Sequence, residues 1–236
     1  MNHRPTLSII IPVKESEPKL VSLIAALELC LKKSYVSFEI LVSTASKTLE
    51  QAHIFSNSTK VLYSEVADRA YQLTLAAQAA NAEWLLFLHA DSDLSSSAID
   101  QLLHVLKTPS SQNSLYYFWL KFDSDGPFLC RLNSFFANLR SRLLGIPFGD
   151  QGLLIRRESF FRLGLFPLRF ISGEDHAFIR VAKKNGFSIL PINANITTSA
   201  RKYRDLGWFN ITAKHFYLAM RQELKGSNNF GEGKHD

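Results

Sequence analysis

Apolar runs rich in β-branched residues alternate with helical patterns through the first part of this chain, and no other feature constrains the fold as strongly. Strands buried on both faces have such runs, and they occur mainly in parallel sheets. The pattern predicts strands at 6–13, 38–42, 60–63 and 83–88, with helices after Pro18 and over 67–82. A parallel sheet is wrapped by helices, and its ligands bind beyond the carboxyl ends of the strands.

The second half of the chain has a less regular pattern. It predicts a strand at 115–122, a helix at 127–144, a turn and strand over 149–155, a helix at 173–186, two short strands within 187–200 and a last helix at 206–224. The helix over 127–144 has an apolar face and a polar face. The apolar face carries Phe128, Leu132, Phe135, Leu139 and Leu143, and the polar face carries Arg131, Asn138 and Arg142.

Composition excludes several classes of protein. At 46% hydrophobic the chain is not disordered. Cys30 and Cys130 form neither a disulfide framework nor a zinc pattern, which suits a reducing cytoplasm. The first residues show no signal-peptide pattern, and no apolar run reaches the roughly 18 residues of a membrane-spanning helix. We therefore expect a cytoplasmic protein that contacts at most the inner face of a membrane.

The net charge of +6 is unevenly distributed. Residues 1–100 carry 8 Lys and Arg against 11 Asp and Glu, whereas residues 101–236 carry 19 against 10. A basic second half favours an anionic partner, which is a phosphate-bearing small molecule, a phospholipid surface or a nucleic acid. The alternative is a solvated basic face with no partner.

The fourth predicted strand runs into the sequence "HADSD", which is an unusual way for a buried strand to end. Asp91 and Asp93, spaced by one residue, can meet one hard cation. Mg²⁺ and Mn²⁺ bind carboxylates, water and substrate phosphate oxygens. The alternative is an ordinary turn in which Asp93 or Ser95 caps a helix from about 97 to 107.

Two further segments carry charged residues in suggestive positions. In "GEDHAF", Glu174 and Asp175 lie in the first turn of a helix, where the helix dipole stabilises carboxylates by roughly 0.3–1 kcal/mol. As a functional pair, one acid would act as a general base and the other would orient it. In "SARKYR", Arg201 and its basic neighbours could bind phosphate oxygens, or they could form a solvated basic loop.

Five segments together resemble one family, in its order along the chain. They are "IIIPVKE", "DRAYQLTLAAQAANAEWLLFLHADSDL", "FGDQGLLIRRESFFRLGLFP", "GEDHAFIRVAKKNG" and "TTSARKYRDLGW". The chain resembles the family 2 glycosyltransferases, closest to the radical-SAM/selenodomain-associated group. The resemblance implies an α/β GT-A (Rossmann-like) fold with a mostly parallel sheet, flanking helices and a smaller acceptor-side region. It implies one domain over 1–225, with a nucleotide-binding half (1–110) and an acceptor half (111–225), and a flexible tail at 226–236.

The resemblance also implies a role for individual residues. Asp91 would bind a Mn²⁺ or Mg²⁺ ion, with Asp93 as a second contact, and Asp175 would be the general base that Glu174 supports. The residues implied for nucleotide-sugar binding are Pro12, Glu15, Thr44, Arg69, Asp91 and Arg201, and those implied for acceptor binding are Asp150 and Gln151. The implied partners are a nucleotide-diphosphate sugar and an acceptor hydroxyl, with no nucleic acid.

Departures from the family pattern keep two alternatives open. The family motif Pro-x-x-Asn-Glu reads Pro12-Val13-Lys14-Glu15 here, without the asparagine, and Ser43–Ser46 lacks the acid that reads the base. One alternative is a non-catalytic module on a transferase scaffold that binds a nucleotide or a membrane surface. The other is a phosphatase with Asp91 as nucleophile and Asp93 as acid. A lipid-linked acceptor would make transferase activity and peripheral membrane contact compatible.

Overall fold

The computed structural model of the protein describes residues 4–14, 17–48, 56–108, 111–168, 173–209 and 212. Its strands are β1 (Leu7–Val13), β2 (Phe38–Thr44), β3 (Thr59–Tyr63), β4 (Trp84–Phe87), β5 (Ser92–Asp93), β6 (Ser114–Phe122), β7 (Leu153–Arg156) and β8 (Ser188–Thr198). Its helices are α1 (Leu20–Lys32), α2 (Arg69–Ala79), α3 (Ser96–Lys107), α4 (Cys130–Leu144), α5 (Arg157–Arg162), α6 (Glu174–Lys184) and α7 (Arg201–Leu206), with a 3₁₀ turn at Gly149–Gln151. The predicted tail and most of the predicted last helix lie outside the described residues.

The eight strands form one sheet in the order β3-β2-β1-β4-β7-β6-β8-β5. β1 to β4 are mutually parallel, as the sequence predicts. β7 is inserted antiparallel between β4 and β6, β8 is parallel to β6, and β5 is antiparallel to β8. The sheet is thus parallel in the first half of the chain and mixed in the second.

Alternating side chains of the strands form two apolar layers, one on each face of the sheet. Ile9 and Ile11 of β1 face the layer that contains α1 and α3, and Ile10 faces the layer that contains α2 and α6. All three side chains are fully buried. Successive side chains of a strand point to opposite faces, so a continuous apolar run is what a sheet covered on both sides requires.

Local sequence signals determine where two site-bearing helices begin. Asp68 caps α2 by accepting a hydrogen bond from the backbone N–H of Tyr71 at 2.9 Å. The small side chains of Ala70, Ala77 and their neighbours on the same face are buried, which lets α2 pack closely on the sheet. Ser95, one of the two predicted caps, accepts from the N–H of Ala98 at 3.2 Å and begins α3.

One predicted feature of the second half is wrong. Residues 187–200 do not hold two short strands, because β8 continues over Ser188–Thr198. Its pairing with β6 shifts between Phe118–Ile192 and Trp119–Asn195, which marks a bulge. Pro191, which lacks a backbone N–H, and the bulge after it interrupt the alternating pattern without ending the strand.

Within the described ranges, no helix has both the length and the apolar character that crossing a membrane would require.

Candidate functional site

Topology brings three distant segments to one edge of the sheet. The carboxyl ends of the parallel strands β1, β2 and β4 meet at this edge. Because β7 runs antiparallel to β4, the turn at Gly149–Gln151 lies beside the residues that follow β4. The pairing of Ser92 with Thr198 likewise brings the start of α7 near Asp91. The site therefore combines residues that no local pattern links.

Arg69, the first residue of α2, forms the centre of the site. Its guanidinium donates to Oε1 of Glu174 at 2.5 Å and to Nε2 of His89 at 2.7 Å. The Glu174 side chain is only 5% exposed. Gly149 allows this close arrangement, because a Cβ there would come within 2.8 Å of both Arg69 Nη2 and Asp175 Oδ2. The three segments are thus packed together at their polar atoms.

His89 takes a neutral form in this arrangement. Since an arginine can only donate, Nε2 of His89 accepts and the ring proton resides on Nδ1. Burial, followed by the charges of Arg69 and Lys202, holds the pKa of His89 well below its usual value. Nδ1 lies 3.9 Å from Oδ1 of Asp91, so a neutral ring faces the acid at the strand end.

Asp175 is held by backbone N–H groups. The N–H of Gly149 donates to Oδ2, and the N–H of His176 donates to Oδ1 at 2.8 Å. The carboxylate also lies in the first turn of α6, where the helix dipole favours negative charge. Beside it, burial raises the pKa of Glu174, although the Arg69 guanidinium opposes that change. Two backbone N–H groups therefore fix the position of the Asp175 carboxylate.

Asp150 is the most perturbed acid of the site. Its Oδ1 atom is buried without a hydrogen-bond partner. Burial and the neighbouring charge of Asp175 raise the pKa of Asp150 to about 6, against the opposing charges of Arg140 and Arg69. The Arg140 guanidinium stacks 3.5 Å from the ring centre of Phe148. A carboxyl that titrates near neutral pH can exchange protons during a reaction.

Gln151, the neighbour of Asp150, points in the opposite direction. It is fully buried; its Oε1 accepts from Ser141 Oγ at 2.7 Å and from the N–H of Phe148 at 3.1 Å. Its amide nitrogen donates to the carbonyl of Phe118 at 3.2 Å. These contacts hold the turn that presents Asp150, while the acceptor role implied for Gln151 stays a prediction.

The two acids of "DSD" lie in different environments. Asp91 is partly buried, and burial raises its pKa while the charge of Lys202 opposes the change. Asp93 is exposed in β5, opposite Thr197 of β8. In the ranges that the structure describes, no three or more His, Cys, Asp or Glu side chains form a group that could hold a metal ion. Asp91 fits a Mn²⁺ or Mg²⁺ site of the kind in which one or two carboxylates act together with substrate phosphates.

Arg201 meets a carboxylate from the other end of the chain. Its Nη2 atom donates to both oxygens of Glu17, at 2.8 and 2.9 Å. This contact raises the pKa of Arg201 further above its ordinary value. The charge of Asp91 also acts on Arg201, which places the pair near the metal-binding candidate. Nearby, Lys19 donates to Asp123 at 2.8 Å.

The remaining predicted donor residues lie at the ends of β1 and β2. Pro12 is half-buried, paired with Ser43 of β2. Thr44 is fully buried, and its hydroxyl accepts from the N–H of Ser46 at 3.0 Å. Glu15 lies outside the described residues. The nucleotide-sugar roles of all three stay predictions.

The sequence does not single out three site residues as functional candidates. They are Glu17, Gly149 and Arg140. For Gly149 the sequence offers a signal, since two glycines flank the acid in "FGDQG". For Glu17 and Arg140 it offers none, because each acts through a partner that only the fold brings close.

A cleft of about 740 Å³ lies at the other edge of the sheet, near the start of β1 and β4. Arg156 and Arg157 line it, but Arg156 is already paired with Glu83. The cleft is remote from the cluster of acids at the carboxyl ends of the strands.

Comparison with known proteins gives the fold. No protein-family model matches the chain, and no curated protein sequence matches it. Among solved structures, residues 1–349 of S. aureus TarS match with a TM-score of 0.59 and 18% identity over 82% of this chain and 60% of that one. The same TarS fragment in complex with UDP also matches, at 18% identity. GalNAc-T7 with UDP, GalNAc and Mn²⁺ matches with a TM-score of 0.61 and 15% identity over 85% of this chain and 45% of that one.

These likenesses confirm the predicted GT-A fold. The chain spans 60% of the TarS fragment and 45% of the GalNAc-T7 chain. At 15–18% identity, the comparison establishes the architecture of the chain only. Membership of the radical-SAM-associated group stays a prediction.

Proposed function

We propose that this protein transfers a hexosyl group from a nucleotide-diphosphate sugar to an acceptor hydroxyl, as a family 2 glycosyltransferase that inverts the anomeric carbon. One observation supports this most strongly. Asp91, Asp150, Glu174 and Asp175 lie together with Arg69 at the carboxyl ends of the strands of a GT-A sheet. Such a site must bind a diphosphate and must supply a general base for a hydroxyl. The cluster contains candidate residues for both tasks.

The donor would bind on the side of Asp91 and α7. Arg201 and Lys202 bring positive charge next to Asp91, and guanidinium groups match phosphate oxygens in shape and charge. A Mn²⁺ or Mg²⁺ ion held by Asp91 and the donor phosphates would neutralise charge on the leaving diphosphate. Arg201 must exchange Glu17 for phosphate when the donor enters. Pro12, Glu15 and Thr44 would line the nucleotide side.

The acceptor would bind on the side of Gly149 and α6. Asp175 takes the proton of the acceptor hydroxyl, and the oxygen attacks from the face opposite the diphosphate. The Gly149 and His176 N–H groups keep the carboxylate of Asp175 in place. Asp150 contacts the acceptor, and Arg69 with Glu174 holds the two sides of the site together. A lipid-linked acceptor would present its hydroxyl to this side of the site at the inner face of the membrane, reached from the cytoplasm.

The two sets of solved relatives support the donor class. One TarS structure contains UDP, and the GalNAc-T7 structure contains UDP, GalNAc and Mn²⁺. The phosphatase alternative requires Asp93 as an acid beside Asp91, and the exposure of Asp93 on β5 does not favour that arrangement. A generic aryl phosphate discriminates the two, since only a phosphatase releases phosphate from it.

Calorimetry with UDP and GDP tests the proposal most directly. We expect one of them to bind in the presence of Mn²⁺, binding to fall after addition of EDTA, and Asp91→Ala to abolish the metal-dependent part. Loss of several kcal/mol of transition-state stabilisation would also lower turnover by at least about 100-fold. Asp100→Asn, an exposed acid on α3, is the matched control and should bind like the wild type.

Three results would contradict the proposal or parts of it. Absence of nucleotide binding under every condition would favour the non-catalytic scaffold. Nucleotide binding that needs no metal and survives Asp91→Ala would show that the donor site does not use a metal ion. If Asp150→Asn rather than Asp175→Asn abolishes transfer while donor binding is kept, the roles of the two acids are exchanged.

A further inference from the structure

The outward side of α4 and of the turn before it is apolar and exposed. Phe128 and Leu143 are 75% and 70% exposed, and Phe135 and Phe136 exceed one half. We call this surface the α4 stripe; it consists of Phe128, Leu129, Leu132, Phe135, Phe136, Leu139, Leu143 and Leu144. These positions recur at spacings of three and four residues, so they share one side of the helix. Soluble proteins rarely expose such a continuous apolar surface unless it binds something.

The other side of the same helix is firmly attached to the protein. Cys130 and Ser141 are buried, and Asn138 exchanges two hydrogen bonds with the backbone of Leu120 in β6, at 2.8 and 3.0 Å. An amphipathic helix of a globular protein usually buries its apolar face. In α4 a few small and polar residues face the sheet instead, so the exposure of the stripe follows from how the helix is anchored.

The charged side chains in the stripe's own segment of the chain are all basic. Residues 126–149 contain Arg131, Arg140 and Arg142 and no Asp or Glu. Arg131 and Arg142 are exposed and lie about three turns apart, on the same edge of the stripe. Apolar side chains bordered by arginines match a surface that is apolar below and anionic above, which is the boundary of a phospholipid bilayer.

The same charges disfavour other occupants. A second copy of the chain, paired by a two-fold axis, would place these arginines against the arginines of its partner, and like charges in an interface are costly. A nucleic acid would leave the Phe and Leu side chains without apolar contacts, because protein–nucleic acid interfaces are polar and positively charged. We infer that the α4 stripe docks on an anionic phospholipid membrane, with Arg131 and Arg142 at the lipid phosphates.

Docking by α4 would also orient the site. Ser141 of this helix bonds to Gln151, and Arg140 stacks on Phe148, on either side of Asp150 in sequence. The helix that meets the membrane therefore supports the turn that presents Asp150. This orientation rests on the proposed function: a lipid-linked acceptor could reach Asp175 while its lipid remains in the bilayer. The docking surface itself does not depend on that function.

Vesicle flotation of the full chain tests the apolar part of the surface. We expect binding at low salt to vesicles of equimolar phosphatidylcholine and phosphatidylglycerol, and much weaker binding to phosphatidylcholine alone. The double variant Phe135→Ser/Phe136→Ser should bind at least about tenfold less. Val21→Ser/Leu29→Ser is the matched control, because both residues are exposed and apolar on α1, and it should bind like the wild type.

A second pair of variants removes charges and leaves the apolar residues of the stripe unmutated. Arg131→Gln/Arg142→Gln should weaken binding to the anionic vesicles by about thirtyfold, since each basic residue near such a surface contributes roughly fivefold. Lys33→Gln/Lys107→Gln removes the same charge from exposed positions elsewhere and should have little effect. If the phenylalanine variant melts early, the arginine variant still decides the matter.

Three results would overturn the docking surface: no flotation of the wild type on anionic vesicles, equal losses in the control variants, or a stripe-dependent dimer in sedimentation that leaves vesicles unbound. UDP binding, measured without lipid, separates this inference from the proposed function. UDP binding without flotation overturns only the docking surface. Flotation without any nucleotide binding keeps the surface and overturns the transferase.

Discussion

The site contains two arginine–carboxylate pairs, one at its centre and one beside Asp91, and their carboxylates differ in burial. Arg69 and Glu174 lie at the centre, with the Glu174 side chain 5% exposed and His89 bonded to the same guanidinium. In the pair of Arg201 and Glu17 the carboxylate is 17% exposed, although both arginine side chains are 32% exposed. Loss of one partner from a buried pair leaves an uncompensated charge, whereas an exposed pair contributes little and can exchange partners. The first pair therefore builds the site, and the second can open to a ligand.

The largest effect should come from breaking the central pair. We expect Arg69→Met to lower the free energy of unfolding by about 3 kcal/mol or more, because the buried Glu174 carboxylate loses its counter-charge. The double variant Arg69→Met/Glu174→Leu should recover much of that loss, since apolar residues leave no charge unpaired. Urea unfolding measures both. An equal cost for Glu17→Gln would show that the two pairs do not differ as we describe.

A smaller effect on stability, one that depends on pH, should come from Asp150, on which the charge of Arg69 acts. Its carboxyl has a pKa of about 6 in the folded protein and near 4 when unfolded, so ionisation disfavours folding. Below about pH 4 the carboxyl is protonated in both states, and the cost is absent. The cost grows as the pH rises from 4 to 6 and stays constant above that.

Asp150→Asn should therefore stabilise the protein at pH 7–8 by at most about 3 kcal/mol and have no such effect below pH 4. Unfolding curves across this range measure the difference. Asp100→Asn, an exposed acid on α3, serves as the control and should show no step near pH 6. A gain that is the same at every pH would mean that the charge of Asp150 is not its cause.

The smallest change in stability should come from the outer pair. We expect Glu17→Gln to change the free energy of unfolding by less than about 1 kcal/mol. The same variant should strengthen Mn²⁺-dependent UDP binding by about three- to tenfold, because the donor no longer displaces a carboxylate from Arg201. Arg201→Gln should weaken that binding, and adding Glu17→Gln to it should change nothing further. A weaker affinity in Glu17→Gln would mean that Glu17 helps to hold the donor.

The sequence predicts the parallel half of the sheet well, for a simple physical reason. β1, β2 and β4 are buried on both faces, so their apolar runs are continuous, and the helices between the strands show regular spacing. Asp91, Glu174 and Asp175 could be selected because each sits at a strand end or a helix start. These are local features, and a local pattern is sufficient to reveal them.

The rest of the site depends on contacts between distant residues. The antiparallel insertion of β7 brings Asp150 beside Asp175, and no periodicity signals the direction of a strand. Gln151 and Asp150 are adjacent and both polar in sequence, but Gln151 is hydrogen-bonded to α4 and β6, whereas Asp150 lies beside Asp175. The α4 stripe shows the same limit, because an apolar face in sequence does not say whether protein or membrane will cover it.

The ion pair between Glu17 and Arg201 has a consequence for how the protein is made. Its two residues are 184 positions apart, and a ribosome adds roughly 5–20 residues per second. The strands and helices of the first half can fold while the remainder is still being synthesised. The proposed donor site can form only after the start of α7 has left the ribosome. The nascent chain would thus form its parallel strands early and complete the site at their carboxyl ends last.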